Sequence, residues 1–151
     1  MSANHKKTIK IINGPNINML GHRESIYGTF SLDDLKTELN EMIPQSIQLS
    51  FFQSNSEGDL ITEIQSCKSS ADGLIINPAA FTHTSIGIKD ALACLEIPKI
   101  EVHITNIYKR EAFRQKNMTA SESTGMISGF GKSSYTLALV HLIDILCQPP
   151  Q

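Results

Sequence analysis

The sequence predicts an α/β fold in which five parallel strands form one sheet with helices on both faces. Short apolar runs alternate with amphipathic segments five times, and the connections between them are short. The run Leu74–Ile76 has the unbroken apolar character of a strand that is buried on both faces. A chain of 151 residues is long enough for one ordinary domain and too short for two, so we expect residues 1–151 to form a single domain.

The first strand and the first helix have clear local signals. Thr8–Ile12 is short and rich in β-branched residues, as expected of a buried strand, whereas residues 1–7 are polar and are predicted to be disordered. Ser31 and Asp34 form a capping pattern that begins the helix, and Pro44 ends it. Its predicted inner face comprises Leu35, Leu39, Met42 and Ile43.

A second strand and a second capped helix follow. The strand is predicted at Ile47–Gln53, and Ser56 with Asp59 repeats the capping pattern. The helix is predicted to end near Asp72-Gly73, before the third strand at Leu74–Ile76. Its apolar face comprises Leu60, Ile61, Ile64 and Cys67.

The third helix and the fourth strand come next in the chain. A loop over residues 77–85 leads into the helix, which gives way at Pro98. The apolar side of this helix comprises Ile88, Ala91, Leu92 and Leu95. Lys99–Ile104 is predicted to be the fourth strand, and Tyr108–Lys116 is predicted to be a charged helix.

A short fifth strand, Gly125–Gly129, and a last helix, Ser133–Cys147, follow the polar stretch 119–124. The inward face of this helix is predicted to comprise Leu137, Val140, Leu142, Ile143 and Leu146. Because helices are expected on both faces of the sheet, the predicted architecture is a three-layer sandwich with the flavodoxin-like strand order 2-1-3-4-5.

Polar residues follow three neighbouring strands of the predicted sheet. They are Asn13 and Asn16 after the first strand, Asn77 and His83 after the third, and His103 and Thr105 at the end of the fourth. In such sheets ligands bind beyond the carboxyl ends of the strands, near the point where the strand order reverses. We therefore expect these residues to converge on one site.

The segment between Gly21 and Gly28 has the composition of a small mobile lid over this site. It contains one arginine, Arg23, and one tyrosine, Tyr27. A guanidinium beside a phenol favours the phenolate, so Tyr27 could serve as a base. The alternative at this stage is a lid tyrosine that only packs.

The histidines and cysteines do not have the spacing of a metal site. Cys67, Cys94 and Cys147 lie far apart in amphipathic patterns, and we expect them to be buried thiols. His141 lies within the last helix and is expected to be structural. His103 ends a buried strand, where it is either an acid held in one tautomer or a hydrogen-bonded core histidine.

Charge and hydropathy exclude several kinds of partner. The formal net charge is −2, with 13 basic and 15 acidic residues, which gives no basic surface for nucleic acid or an anionic membrane. No apolar run approaches the roughly 20 residues of a membrane span, and the first residues lack the apolar segment of a secretory signal. We therefore expect a cytoplasmic protein.

Two other kinds of binding site, for a nucleotide phosphate and for a flavin, are weakly supported by the sequence. Gly131-Lys132-Ser133 ends like a phosphate-binding loop, but the glycine required five residues earlier is replaced by Met126, and the motif belongs after the first strand. We interpret this segment as a strand-to-helix turn. Flavin binding stays open on the fold alone, although the turn Asn13–Asn16 is stiffened by Pro15 and offers no hydroxyl group to a phosphate.

Taken together, these stretches resemble the type II 3-dehydroquinate dehydratases from about Ile9 to Leu146. In chain order, the matching motifs are Asn13-Gly14-Pro15-Asn16, Leu20-Gly21, Arg23-Glu24, Tyr27-Gly28, Phe52-Gln53-Ser54-Asn55, Asn77, His83-Thr84-Ser85, Ile100-Glu101-Val102-His103, Arg110-Glu111, Phe113-Arg114 and Gly129-Phe130-Gly131. The resemblance implies dehydration of 3-dehydroquinate to 3-dehydroshikimate in the shikimate pathway of aromatic amino acid biosynthesis, without metal or cofactor. It also implies a homododecamer built from trimers.

The resemblance implies a role for each matched residue. Tyr27 would take the proton next to the ketone, and Arg23 would stabilise the resulting charge. His103, oriented by Glu101, would protonate the departing hydroxyl, and Asn16 would help hold the enolate oxygen through water. The implied substrate-binding positions are Asn77, His83, Arg110, Arg114 and the backbone of Ile104 and Thr105, together with Asp90, which would reach a neighbouring subunit's site.

The sequence departs from the family pattern in the lid. The segment between Arg23 and Tyr27 lacks the usual proline and is one residue shorter. This difference concerns the geometry of the lid rather than the roles of its residues. The alternative function at this stage is a flavin-binding or other non-catalytic module of the same fold.

Overall fold

Five parallel strands form one sheet. The structure, a computed structural model, describes residues 5–149. Its strands are β1 (Lys7–Asn13), β2 (Ile47–Gln53), β3 (Gly73–Asn77), β4 (Lys99–His103) and β5 (Gly125–Ser128). They pair in the order β2-β1-β3-β4-β5, and each neighbouring pair is parallel, which confirms the predicted topology.

The helices cover both faces of the sheet. They are α1 (Leu32–Met42), α2 (Glu57–Ser70), α3 (Ile86–Ala93) and α4 (Ser133–Leu146). Successive residues of a strand point to opposite faces, so Ile11 packs into the core beneath α1 and α4 and Ile12 into the core beneath α2 and α3. The predicted three-layer sandwich is therefore confirmed. None of these helices, within residues 5–149, is long and apolar enough to cross a membrane.

Serine side chains cap the first three helices, α1, α2 and α3. Ser31 Oγ accepts from the N–H of Asp34 at 3.0 Å, and the Asp34 carboxylate accepts from the N–H of Ser31 at 2.8 Å, which completes the predicted capping box. Ser56 caps α2 as predicted, and Ser85 caps α3 in the same way. These caps fix where the loops after β2 and β3 end.

The chain enters the sheet earlier than predicted. β1 begins at Lys7, whose N–H donates to the carbonyl of Ser46 at 2.9 Å, so this residue of the segment expected to be disordered is part of a strand. Residues 1–4 of that segment lie outside the described residues.

The predicted helix Tyr108–Lys116 is wrong. The chain forms two short 3₁₀ helices instead, Ile107–Lys109 and Ala112–Gln115. Arg110 lies between them with extended backbone angles, φ −109° and ψ −161°. A continuous helix would not leave this residue extended, and its extended backbone lets the side chain reach the lid.

The predicted inward face of α4 is only partly right. Leu142 is buried, but Leu137 is 47% exposed and Val140 is 55% exposed. The buried residues of the helix are Ser134, Tyr135, Ala138, Leu139 and Leu142. Because α4 is apolar around most of its circumference, the spacing of its apolar residues could not indicate which face is buried. A hydrogen bond from the Tyr135 hydroxyl to the end of β1 turns one face of the helix towards the sheet.

Cys67 alone among the three cysteines is buried, so the prediction of three buried thiols is wrong. Burial raises the pKa of the Cys67 thiol to about 11. Cys94 and Cys147 are exposed because they lie at the ends of α3 and α4, where the chain turns away from the sheet. Met42 is exposed for the same reason at the end of α1.

Candidate active site

A cavity of about 130 Å³ lies beyond the carboxyl ends of β1, β3 and β4. It is lined by ten of the predicted site residues: Asn16, Arg23, Tyr27, Asn77, His83, His103, Ile104, Thr105, Arg110 and Arg114. Glu101 lies behind the wall, where it is hydrogen-bonded to His103. Asp90 lies on the exposed surface of α3 and does not line the cavity of its own chain. The structure thus brings the three strand ends together as expected.

Three buried polar side chains join the ends of β1 and β3 to α4. The Tyr135 hydroxyl donates to Asn13 Oδ1 at 2.6 Å and accepts from Asn77 Nδ2 at 2.9 Å. Asn77 Oδ1 in turn accepts from the N–H of Ala79 at 3.0 Å. Burial raises the pKa of Tyr135 well above its ordinary value, so the hydroxyl keeps its proton. The network therefore fixes the amide of Asn77 at the cavity wall.

We expect Tyr135→Phe to lower the free energy of unfolding by about 1–3 kcal/mol, because it leaves two buried amide groups without their partner. Urea unfolding measures the change. Tyr108→Phe is the matched control, since Tyr108 is 56% exposed and should tolerate loss of its hydroxyl without a measurable effect. Equal stability of the two variants would contradict a structural role for this network.

The loops that follow β1 and β3 pass close to each other beside the cavity. A Cβ atom at Gly14 would lie 2.5 Å from the carbonyl oxygen of Pro78, so only glycine fits. Asn16 and Ala79 have positive φ values of 68° and 54°, which are strained for residues other than glycine. Strained backbone of this kind is concentrated at functional sites.

The lid segment Gly21–Gly28 brings Tyr27 to the cavity. Both glycines have positive φ, 91° and 82°, which lets the chain turn into and out of the short 3₁₀ helix Ser25–Tyr27. Tyr27 is 8% exposed, and Arg110 Nη1 donates to its hydroxyl oxygen at 2.6 Å. Its oxygen therefore has a positively charged donor in direct contact.

The two arginines near Tyr27 contact different parts of its side chain. Arg23 was expected to stabilise the charge and Arg110 to bind substrate. In the structure Arg23 lies over the face of the ring, with its Cζ atom 3.7 Å from the ring centroid, while Arg110 contacts the oxygen. Because the turn between Arg23 and Tyr27 stacks the Arg23 guanidinium on the ring, the Tyr27 hydroxyl is contacted instead by Arg110, which is distant in sequence.

A buried carboxylate holds His103. Glu101 is 0% exposed, and His103 Nε2 donates to its Oε2 at 2.8 Å. Burial alone would raise the pKa of Glu101, but hydrogen bonds from His103, Thr119 and Asn117 outweigh it and hold that pKa below its ordinary value. Glu101 is therefore an anion at neutral pH. Because Nε2 is bound to Glu101, Nδ1 is the ring nitrogen left to exchange a proton with a ligand.

His83 faces the same cavity from the loop after β3. Its Nδ1 donates to the carbonyl of Lys116 at 2.7 Å. Burial lowers the pKa of this ring, and the charges of His103 and Arg114 act in the same direction, although the bond to Lys116 opposes them. The ring is therefore neutral at neutral pH, and its Nε2 can accept a hydrogen bond from a ligand hydroxyl.

The described lining of the cavity carries three arginines and no carboxylate. These arginines are Arg23, Arg110 and Arg114. A positive cleft in a chain of negative net charge suits a small anionic ligand. The backbone of Ile104 and Thr105 lines the same cavity at the end of β4, where a carboxylate could lie.

The arrangement can move two protons. A phenolate with a guanidinium on its oxygen can accept one, and an imidazolium backed by a carboxylate can donate the other. Within residues 5–149 there is no group of three or more His, Cys, Asp or Glu side chains that could hold a metal ion. The phenol and the imidazole at one cavity suit acid–base catalysis.

Sequence reasoning missed Tyr135, Asn117 and Thr119, which hold the site residues in place. Tyr135 lies in a helix whose sequence is dominated by its apolar pattern. Asn117 and Thr119 lie in a polar stretch with no local signal, because the Glu101 carboxylate that they contact is 16 and 18 residues away in sequence. The available clue was a tyrosine in the first turn of a largely apolar helix.

Comparisons with known proteins give the family of the chain. The family Dehydroquinase class II matches residues 7–143. The 3-dehydroquinate dehydratase of Aliarcobacter butzleri is 51% identical over 140 residues, which cover 91% of this chain and 85% of the relative. The same-named protein of Campylobacter jejuni subsp. doylei is 49% identical over 139 residues, 91% of this chain and 87% of the relative.

A solved structure has the same fold as this chain. The type II dehydroquinase of Butyrivibrio crossotus superposes with a TM-score of 0.87 at 41% identity, and the match covers 92% of this chain and 98% of that one. None of these three proteins is described as binding a flavin. The comparisons therefore do not support the flavin alternative.

Proposed function

The chain belongs to the class II dehydroquinase family, and we infer that it catalyses the dehydration of 3-dehydroquinate to 3-dehydroshikimate and water, a step of the shikimate pathway. The observation that carries this conclusion is the meeting of Tyr27 and the Glu101–His103 pair at one cavity. The reaction removes a proton from one carbon and a hydroxyl group from the next. It therefore needs a base and an acid on the same substrate.

Tyr27 is the proposed base. As a phenolate it takes the proton from the carbon next to the ketone, and the electron pair left behind forms an enolate. Asn16, at the rim of the cavity, is proposed to help hold the enolate oxygen through a water molecule. The guanidinium of Arg110 on the phenol oxygen, with Arg23 over the ring, supports this role because positive charge favours a phenolate.

His103 is the proposed acid. In its protonated form it gives the Nδ1 proton to the departing hydroxyl, which leaves as water while the carbon–carbon double bond forms. Tyr27 ends the cycle protonated and His103 neutral, and exchange with solvent restores both. No electrons are gained or lost overall, so the reaction balances without a cofactor. The Glu101 carboxylate supports this role because it offsets the charge of the protonated ring.

The rest of the cavity suits the substrate, which carries a carboxylate and several hydroxyl groups. We propose that the backbone at Ile104 and Thr105 receives the carboxylate. Asn77, His83 and Arg114 are proposed to bind the hydroxyl groups. A neutral His83 can accept from a hydroxyl, and the amide of Asn77 is held in one orientation by Tyr135.

Replacing either arginine beside Tyr27 should slow turnover and move the acidic limb of the kcat–pH profile to higher pH, because loss of a cation makes the phenolate harder to form. We expect the larger shift for Arg110→Leu, since Arg110 contacts the oxygen at 2.6 Å while Arg23 contacts the ring. Arg23→Leu is the matched comparison. A larger shift of the acidic limb in Arg23→Leu would show that Arg23, and not Arg110, contributes most to stabilising the phenolate.

One assay tests the proposed reaction. Purified protein mixed with 3-dehydroquinate should produce the ultraviolet absorbance of the conjugated product, whereas Tyr27→Phe at the same protein concentration should produce it at least about a hundredfold more slowly. Absence of product from the folded parent protein would overturn the proposed function. A yellow chromophore on the purified protein would instead favour the flavin-binding alternative.

We also propose a homododecamer built from trimers, located in the cytoplasm, in which Asp90 reaches the site of a neighbouring copy. Asp90 is exposed on α3, and the neighbouring Ile86 is 59% exposed, an arrangement that fits an interface. Light scattering tests the assembly. A fully active monomer at assay concentration would remove both the dodecamer and the role of Asp90.

A further inference from the structure

The short segment Lys116–Thr119 contacts both histidine systems of the site. The carbonyl of Lys116 accepts from His83 Nδ1 at 2.7 Å. Asn117 Nδ2 donates to Glu101 Oε2 at 2.6 Å, and the Thr119 hydroxyl donates to Glu101 Oε1. One stretch of chain therefore supports both imidazole rings, directly or through Glu101, without lining the cavity itself.

We propose that Asn117 and Thr119 are positioning residues that keep Glu101 ionised and turned towards Nε2 of His103. This inference rests on the proposed function, because it assigns these two residues to the acid half of that reaction. Neither residue lines the cavity, so neither is proposed to contact the substrate.

The orientation of Asn117 is fixed by its own contacts. Its Oδ1 accepts from the N–H of Thr119 and from the N–H of Ala120, both at 2.9 Å. Backbone N–H groups only donate, so the oxygen of the amide must face them and Nδ2 must face Glu101. Asn117 therefore presents a donor to the carboxylate and cannot accept a proton from it.

The donors around Glu101 leave its charge available to His103. Oε2 accepts hydrogen bonds from His103 Nε2 and Asn117 Nδ2, and Oε1 accepts one from the Thr119 hydroxyl. His103 is the ion-pair partner of Glu101 within the described residues, and the charge of Glu101 also opposes the lowering of the His83 pKa by burial. Asn117 and Thr119 are neutral, so they stabilise the anion without cancelling the charge that His103 needs.

Two variants remove these donors with little change of shape. Thr119→Val replaces the hydroxyl with a methyl group, and Asn117→Asp keeps the oxygen that binds the N–H groups while replacing Nδ2 with a second carboxylate oxygen. Thr119→Ser, which retains the hydroxyl, should rescue the first change. Ser123→Ala is the control, because the Ser123 hydroxyl is buried in the same region without a hydrogen-bond partner in the described structure.

The decisive measurement is the titration of the Glu101 carboxyl carbon by ¹³C NMR in the protein without substrate. In Thr119→Val we expect the midpoint to rise by about one pH unit, the effect of losing one hydrogen bond to a charged group. In Asn117→Asp it should rise further, because two carboxylates in contact cannot both ionise. Thr119→Ser and Ser123→Ala should titrate like the parent.

Kinetics give the second readout. Thr119→Val should lower kcat about tenfold and change KM less than about twofold, since the substrate contacts are intact. Unchanged Glu101 midpoints in the folded variants would overturn the inference, and so would a tenfold rise in KM with unchanged kcat. If Thr119→Val does not fold, the Glu101 titration midpoint of Asn117→Asp tests the inference. A parent protein without dehydratase activity would refute the proposed function, but the titration would still test the Glu101 contacts.

Discussion

We expect Tyr27→Phe to lower kcat for 3-dehydroquinate at least about a hundredfold, the usual effect of losing a general base. The variant removes the oxygen that Arg110 contacts at 2.6 Å and keeps the ring on which Arg23 stacks. Binding and folding should therefore survive, and KM should stay within about threefold of the parent value.

Steady-state kinetics and thermal unfolding test this expectation, and a hydrogen-exchange experiment sharpens it. In D₂O the parent should exchange the substrate hydrogen next to the ketone, because the base removes it reversibly, whereas Tyr27→Phe should not. Tyr108→Phe, at an exposed tyrosine, is the matched control. Turnover of Tyr27→Phe within about tenfold of the parent would make Tyr27 a packing residue.

His103→Asn should also lower kcat about a hundredfold or more, for a different reason. It removes the ring that the Glu101 carboxylate holds at 2.8 Å and that is proposed to protonate the leaving hydroxyl. Because the base is untouched, the variant should still exchange the substrate hydrogen in D₂O while forming little product. The pair of variants thus separates removal of the proton from loss of water.

His141→Asn provides the control for the histidine change. His141 is exposed on α4, so this variant should match the parent in turnover and in exchange. If His103→Asn loses exchange and turnover to the same extent, the two residues do not act in separate steps. If it retains full turnover, the acid must be sought among other groups at the cavity.

The fold could be predicted from sequence because its signals are local and agree with one another. Each of these signals comes from residues that are close together in the chain. Examples are the capping pair Ser31 and Asp34, the apolar run of β3 and the polar residues at the strand ends. The convergence of the strand ends follows from topology alone, since parallel strands bring their carboxyl ends to one edge of the sheet.

What could not be predicted depends on contacts between distant residues. The face of α4 is set by the hydrogen bond from Tyr135 to Asn13, which are 122 residues apart. The partner of the Tyr27 oxygen is Arg110, 83 residues away, and its position depends on an extended residue where charge and periodicity predicted a helix. Periodicity along the chain contains no information about such pairs.

The buried amide of Asn13 has a consequence for the chemical ageing of the protein. Asparagine followed by glycine is the sequence most prone to deamidation, in which the next backbone nitrogen attacks the side-chain carbonyl and closes a five-membered ring. Here the side-chain oxygen of Asn13 accepts from Tyr135, and the N–H of Gly14 donates to the carbonyl of Asn77 at 2.8 Å. Both reacting groups are thereby held apart in the folded chain, so we expect deamidation at this position to proceed from molecules in which the end of β1 has opened.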